Sequence, residues 1–217
     1  MRSLCGITCL LFVSSGAANA GLMTLTNTTT GLFDASSGTR SVIINSSTPG
    51  WDVLPITRVE ISIDFVKADG ETFAGPYPAG TPYLNETVFT LTGPGGTVNL
   101  ISANSFKVGT TLFDGVIHFA QSAPQVVNVV DTLMQAGTFQ PVGNLGTFNG
   151  QLAAATWTLN IQDTTAADAL RFRSFTLTVE TAGVPEPSSA AMLVIAGLLT
   201  TAGAMRRRSK NGEIAHQ

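Results

Sequence analysis

The chain has 217 residues, a formal net charge of −3 and 12% charged residues, about half the usual charged share. With no basic excess, nothing in it offers nucleic acid the positive face such partners need, so no nucleic-acid role is expected. Scarce charge together with the 22 glycines and frequent Thr and other β-branched residues points to an exported all-β protein rather than a cytosolic enzyme.

In chain order, the first element is MRSLCGITCLLFVSSGAANA. Arg2 precedes an apolar stretch from Leu4 to Val13, and small residues follow, ending in Ala18-Asn19-Ala20. This is the pattern of a secretory signal peptide, residues 1–20, cut by signal peptidase after Ala20, with Ala18 and Ala20 as the small residues of the cleavage site. A short membrane anchor is the competing reading, but the apolar run is too short to span a bilayer. Cys5 and Cys9 both fall inside this segment. The body therefore has no disulfide, no thiolate metal site and no cysteine nucleophile.

The body, residues 21–183, shows period-two alternation. Strands are expected at Ser41–Asn45, around Val59, Ile61, Ile63 and Phe65, and at Phe89 and Leu91. Others are expected at Val116–Ala120, around Trp157, Leu159 and Ile161, and around Phe175, Leu177 and Val179. One buried face per strand is the antiparallel signature. Gly93-Pro94-Gly95-Gly96 reads as the turn of a hairpin leading to Val98 and Leu100. No stretch of the body holds a helical period over three turns. The fold class is all-β, a jelly-roll-like β-sandwich between the signal peptide and one C-terminal hydrophobic helix. Between two strands lies KADGETFAGPYPAGTPYLN, Lys67 to Asn85, too rich in Pro and Gly for a central strand.

Trp51, Tyr77 and Tyr83 are the aromatic candidates for stacking on sugar rings. The alternative for Trp51 is that it covers an end of the sandwich. His118 is the body's one histidine. A triad needs it within reach of a nucleophile and an orienting acid, whereas a lone histidine on a strand more often serves structure. No Gly-x-Ser-x-Gly elbow or His-Glu-x-x-His helix is present, and no catalytic residue is assigned.

Two stretches carry a resemblance. One is ITRVEISIDF followed by NETVFTLTGPGGTVNLI; the other is Gly137–Glu180, with Phe148, Gly150, Trp157, Leu159 and Asp163 in order. Together, over residues 45–180, they resemble the P domain, the jelly roll that accompanies the catalytic domain of kexin-like and bacterial subtilisin-type proteases. The resemblance implies a module that cuts no peptide itself. It also raises calcium as a possible cofactor, for which Asp114, Asp163 and Asp168 are the candidate oxygen ligands. The competing reading of Asp163 is that it caps its own turn.

The C-terminal region, residues 184–217, begins Val184-Pro185-Glu186-Pro187. An uncharged run from Ser188 to Met205 follows, long enough for a single membrane helix. Arg206, Arg207 and Arg208 would hold its end on the cytoplasmic side. This order resembles the PEP-CTERM sorting signal of Gram-negative bacterial surface proteins. The resemblance implies an exosortase-type membrane peptidase as partner, transient anchoring in the inner membrane, and a setting of exopolysaccharide and biofilm at the cell surface or in the matrix. The function expected is that of a non-catalytic exported surface or matrix protein. The alternatives are an accessory module for a secreted hydrolase, or a hydrolase of a new type built around His118.

Overall fold

A computed structural model describes residues 19–47, 51, 53–70, 80–109, 111–127 and 133–184. Their strands are β1 Asn19–Asn27, β2 Gly31–Phe33, β3 Ser37–Ile43, β4 Ile56–Lys67 and β5 Thr87–Gly93. They continue with β6 Gly96–Ile101, β7 Phe113–Ala120, β8 Gly137–Phe139, β9 Thr156–Asp163 and β10 Leu170–Val184. The only helical pieces among the described residues are two 3₁₀ turns, Leu84–Glu86 and Leu145–Phe148. Residues Ala20–Ala182 form one compact unit.

The strands make two sheets. The first runs β1-β10-β4-β7-β8, with β2 also pairing β10; the second runs β3-β9-β5-β6. Along the chain, the strands from β3 to β10 cross repeatedly between sheets while β10 returns beside β1. That is the jelly-roll order, with β2 and β8 as additions. The expected all-β sandwich is therefore what forms.

Alternation explains the core. On β4, Val59, Ile61, Ile63 and Phe65 point inward and are fully or almost fully buried. They pair with Val179, Leu177, Phe175 and Phe172 of β10. The register slips by one residue between Phe172 and Ser174. This bulge keeps Phe172 and Phe175 on the same inner face despite their odd spacing. From the second sheet, Trp157, Leu159 and Ile161 of β9 and Phe89 and Leu91 of β5 close the core. Phe65 meets Phe89 edge-on at 5.0 Å between ring centroids, across the two sheets.

The β5–β6 hairpin forms where the turn residues place it. Gly93 pairs with Gly96, and Gly95 sits at φ 91°, in the left-handed region that glycine occupies without penalty. Gly93 has a packing role as well. A Cβ there would lie 2.5 Å from the Trp157 ring.

Some boundaries differ from expectation. The strand expected at Ser41–Asn45 is Ser37–Ile43, and the one expected from Val116 begins at Phe113. Lys67 belongs to β4 and does not open the irregular stretch that follows. Strands β1, β2 and β8 were not anticipated; β8 has three residues and pairs β7 in parallel. Ala18, Tyr77, Pro185, Glu186, Pro187, the run Ser188–Met205 and Arg206, Arg207 and Arg208 lie outside the described residues, and Ala20 and Val184 are described only as strand residues of β1 and β10. Among the described residues no helix is long and apolar enough to cross a membrane.

Candidate functional site

The most unusual chemistry sits between the sheets, at the end of β4. Continuing the inward parity of Val59, Ile61, Ile63 and Phe65 brings the next inward position to Lys67. Its side chain is fully buried, flanked in the ladder by Phe113 of β7 and Leu170 of β10. Opposite, the inward parity of β9 ends on Asp163, also buried and paired with Thr87 of β5. Lys67 Nζ donates to Asp163 Oδ2 at 2.7 Å and to the Asp168 carbonyl. Glu86 Oε2 stands 3.5 Å from the same nitrogen. Asp168 Oδ2 accepts the Tyr83 backbone N–H at 2.8 Å, and Asp163 Oδ1 accepts that of Thr165 at 3.5 Å. One ammonium is thus ringed by acidic side chains and a carbonyl in an otherwise apolar interior.

Burial is the main influence on these carboxyls. It pushes Asp163 above the ordinary carboxylate range, opposed by the hydrogen bond and charge of Lys67. Asp168 is raised the same way, opposed by the Tyr83 N–H and by Lys67, with Asp69 adding to the rise. A carboxyl raised by folding contributes stability that is fully present below its unfolded value and is lost as pH rises through the folded value. Asp168→Asn, which stays neutral, is therefore expected to be more stable than the parent at pH 7. The difference should close as the pH falls toward about 4, as melting curves of the two proteins at both pH values would show.

The calcium expectation requires correction. Asp163 and Asp168 do converge, but on an ammonium. A divalent cation beside the buried Lys67 would face direct repulsion in surroundings of low dielectric. Asp114 engages elsewhere: Arg173, placed by the β10 bulge, reaches Asp114 at 2.6 Å and Asp64 at 3.2 Å. Among the described residues, no group of three His, Cys, Asp or Glu side chains could hold a metal ion. The turn-capping reading of Asp163 is supported by its contact with Thr165.

The aromatic candidates also separate. Trp51 is buried within the core cluster, its ring close against Gly21 and its carbonyl accepting from Ala154 N at 3.2 Å. It covers the sandwich and is not available to stack on a ligand. Tyr83 is 47% exposed.

His118 projects from the outer face of the first sheet. Its Nδ1 is 2.8 Å from Ser62 Oγ and its Nε2 is 3.5 Å from Glu60 Oε2. Serine, histidine and acid are therefore in line. Yet Ser62 lies mid-strand, with β10 on one side and β7 on the other. The ladders occupy the backbone N–H groups that would hold an oxyanion. The same face carries Arg58, paired with Glu180 at 2.7 Å and with Glu60 at 2.8 Å. A nearby cavity of about 70 Å³, bordered by Arg58, Gln121 and Asn149, is well below the roughly 300 Å³ of a small-molecule site.

The outer face of the second sheet is different in kind. Ser41, Thr158, Thr92 and Thr97 stand in one row across β3, β9, β5 and β6. Thr39, Asn160, Thr90 and Asn99 make the next row, and Ser37, Gln162 and Val88 the third. Side chains hydrogen-bond along the first row, Ser41 to Thr158 and Thr92 to Thr97, each at 2.9 Å. None of these residues is charged.

No protein-family model matches the chain, and no curated protein matches it. Among solved structures it is similar to a chain in the crystal structure of the Aeromonas sobria serine protease (ASP) and chaperone (ORF2) complex. The TM-score is 0.43 at 11% identity, over 76% of this chain and 28% of that one. The chain thus spans under a third of the length of the chain it matches.

Proposed function

We propose that the protein is an exported, non-catalytic β-sandwich, sorted through its C-terminal segment by an exosortase-type peptidase and associated with exopolysaccharide at the cell surface. The observation that supports the binding part is the uncharged outer face of the β3-β9-β5-β6 sheet. Its hydroxyls and amides can exchange hydrogen bonds with a hydroxyl-rich polymer, and no charge has to be stripped of water when the polymer docks. The sorting part rests on the order Val184-Pro185-Glu186-Pro187, uncharged run, arginines.

The test uses the protein released from its own cells. Intact mass should show an end near Pro185–Pro187; a surface form that still carries Met192–Arg208 would leave a plainly anchored protein. The released form should be retained by neutral exopolysaccharide. Thr158→Lys with Thr90→Lys, placing two charges mid-face, should abolish retention without changing the melting temperature by more than a few degrees. Retention by no glycan removes the polysaccharide reading. Co-purification with a secreted hydrolase instead would favour the accessory-module alternative.

A further inference from the structure

We propose that Lys67 and Asp163 become joined by an intramolecular amide, an isopeptide bond between the two sheets, with Glu86 carrying the proton. The partners are already at contact distance: Nζ lies 2.7 Å from Asp163 Oδ2. Both side chains are fully excluded from solvent. Glu86 Oε2 faces the same nitrogen at 3.5 Å and is buried without a hydrogen-bond partner. Charge pairing with the ammonium holds it there, and the same placement lets it take a proton from that nitrogen.

The chemistry follows from the surroundings. In an apolar interior an ion pair loses much of its advantage over the neutral amine and acid, so the ammonium proton can pass to the Asp163 carboxylate. The amine lone pair then forms a bond to Asp163 Cγ. Glu86 takes the proton released by the nitrogen and returns it to the departing hydroxyl, which leaves as water. One C–N bond forms, one C–O bond breaks, one water departs, Glu86 is regenerated, and nothing is oxidised or reduced. Fixed proximity supplies the effective concentration that the free groups lack, and the apolar surroundings keep water from reversing the step. The link spans 96 residues of sequence, in a body whose strands hold no cysteine.

Intact-mass measurement of the exported protein, with both termini mapped, should read one water molecule below the mass of its sequence. Digestion should yield a branched peptide joining the Lys67 and Asp163 segments, with no tryptic cut after Lys67. Glu86→Gln, whose amide cannot relay the proton, should regain the missing water and keep the β-sheet circular dichroism spectrum. A folded parent at full sequence mass, with a linear Lys67 peptide, overturns the proposal. A Glu86→Gln protein that is still one water light overturns the role of Glu86. Should that variant fail to fold, the parent's mass and its Lys67 peptide decide alone.

Discussion

Lys67→Ala is expected to cost about 3–5 kcal/mol of folding stability. The variant leaves Asp163 and Glu86 facing one another in an apolar interior with no cation between them. It also strips the Asp168 carbonyl of its donor. For a domain of this size the melting temperature should fall by about 10–15 °C. Arg58→Ala is the matched control. Arg58 also pairs with two carboxylates, but its side chain is 52% exposed, and such surface pairs contribute under about 1 kcal/mol. Urea unfolding of both variants compares them directly. A Lys67→Ala loss no larger than that of Arg58→Ala would show that the buried centre does not hold the sheets together.

Trp157→Ala should lower stability by about 3–5 kcal/mol for a different reason. Trp157 is fully buried, stacks edge-on with Phe148 at 4.9 Å, and donates from Nε1 to the Ala153 carbonyl at 3.2 Å. Truncation opens a cavity between β9 and the 3₁₀ turn at Leu145–Phe148 and leaves that carbonyl unpaired. Trp157→Phe keeps most of the volume and loses the donor, so its cost should be intermediate, about 1–3 kcal/mol. Gly93 belongs to the same packing unit, since the ring occupies the space a β-carbon would need. Denaturant midpoints for the two Trp157 variants should rank parent, phenylalanine, alanine; equal midpoints for the two would put the energy elsewhere.

The contrast between these two sites shows what can be read from residues alone. The strands with strict alternation, such as Val59–Phe65 and Trp157–Ile161, are legible because one face must be apolar. The hairpin at Gly93–Gly96 is legible because few sequences tolerate that turn. Strand β8 is not, since three residues define no period and its parallel pairing depends on distant partners. Lys67 is the instructive miss. Its charge, followed by a Pro- and Gly-rich stretch, reads as the start of a loop. Its parity with Phe65 already placed it on the inner face, and a buried lysine requires buried acids. Of the three aspartates expected to share a calcium ion, Asp163 and Asp168 lie beside Lys67 of the chain itself, whereas Asp114 pairs with Arg173. The uncharged face of the second sheet was present in the alternate residues of β3, β5, β6 and β9. It becomes a surface only when the register sets those residues side by side.

One consequence concerns force. The last strand of the sandwich, β10, does not lie at an edge. It is bound on one side by β1 and β2 and on the other by β4, with a ladder running from Leu170 to Thr181. A chain held by its C-terminal end transmits tension along this strand. Because its neighbours run beside it, the load is borne in shear by many hydrogen bonds at once. An edge strand pulled outward would instead peel open one bond at a time. The jelly-roll order therefore lets the sandwich resist a pull applied at the C-terminal end of β10.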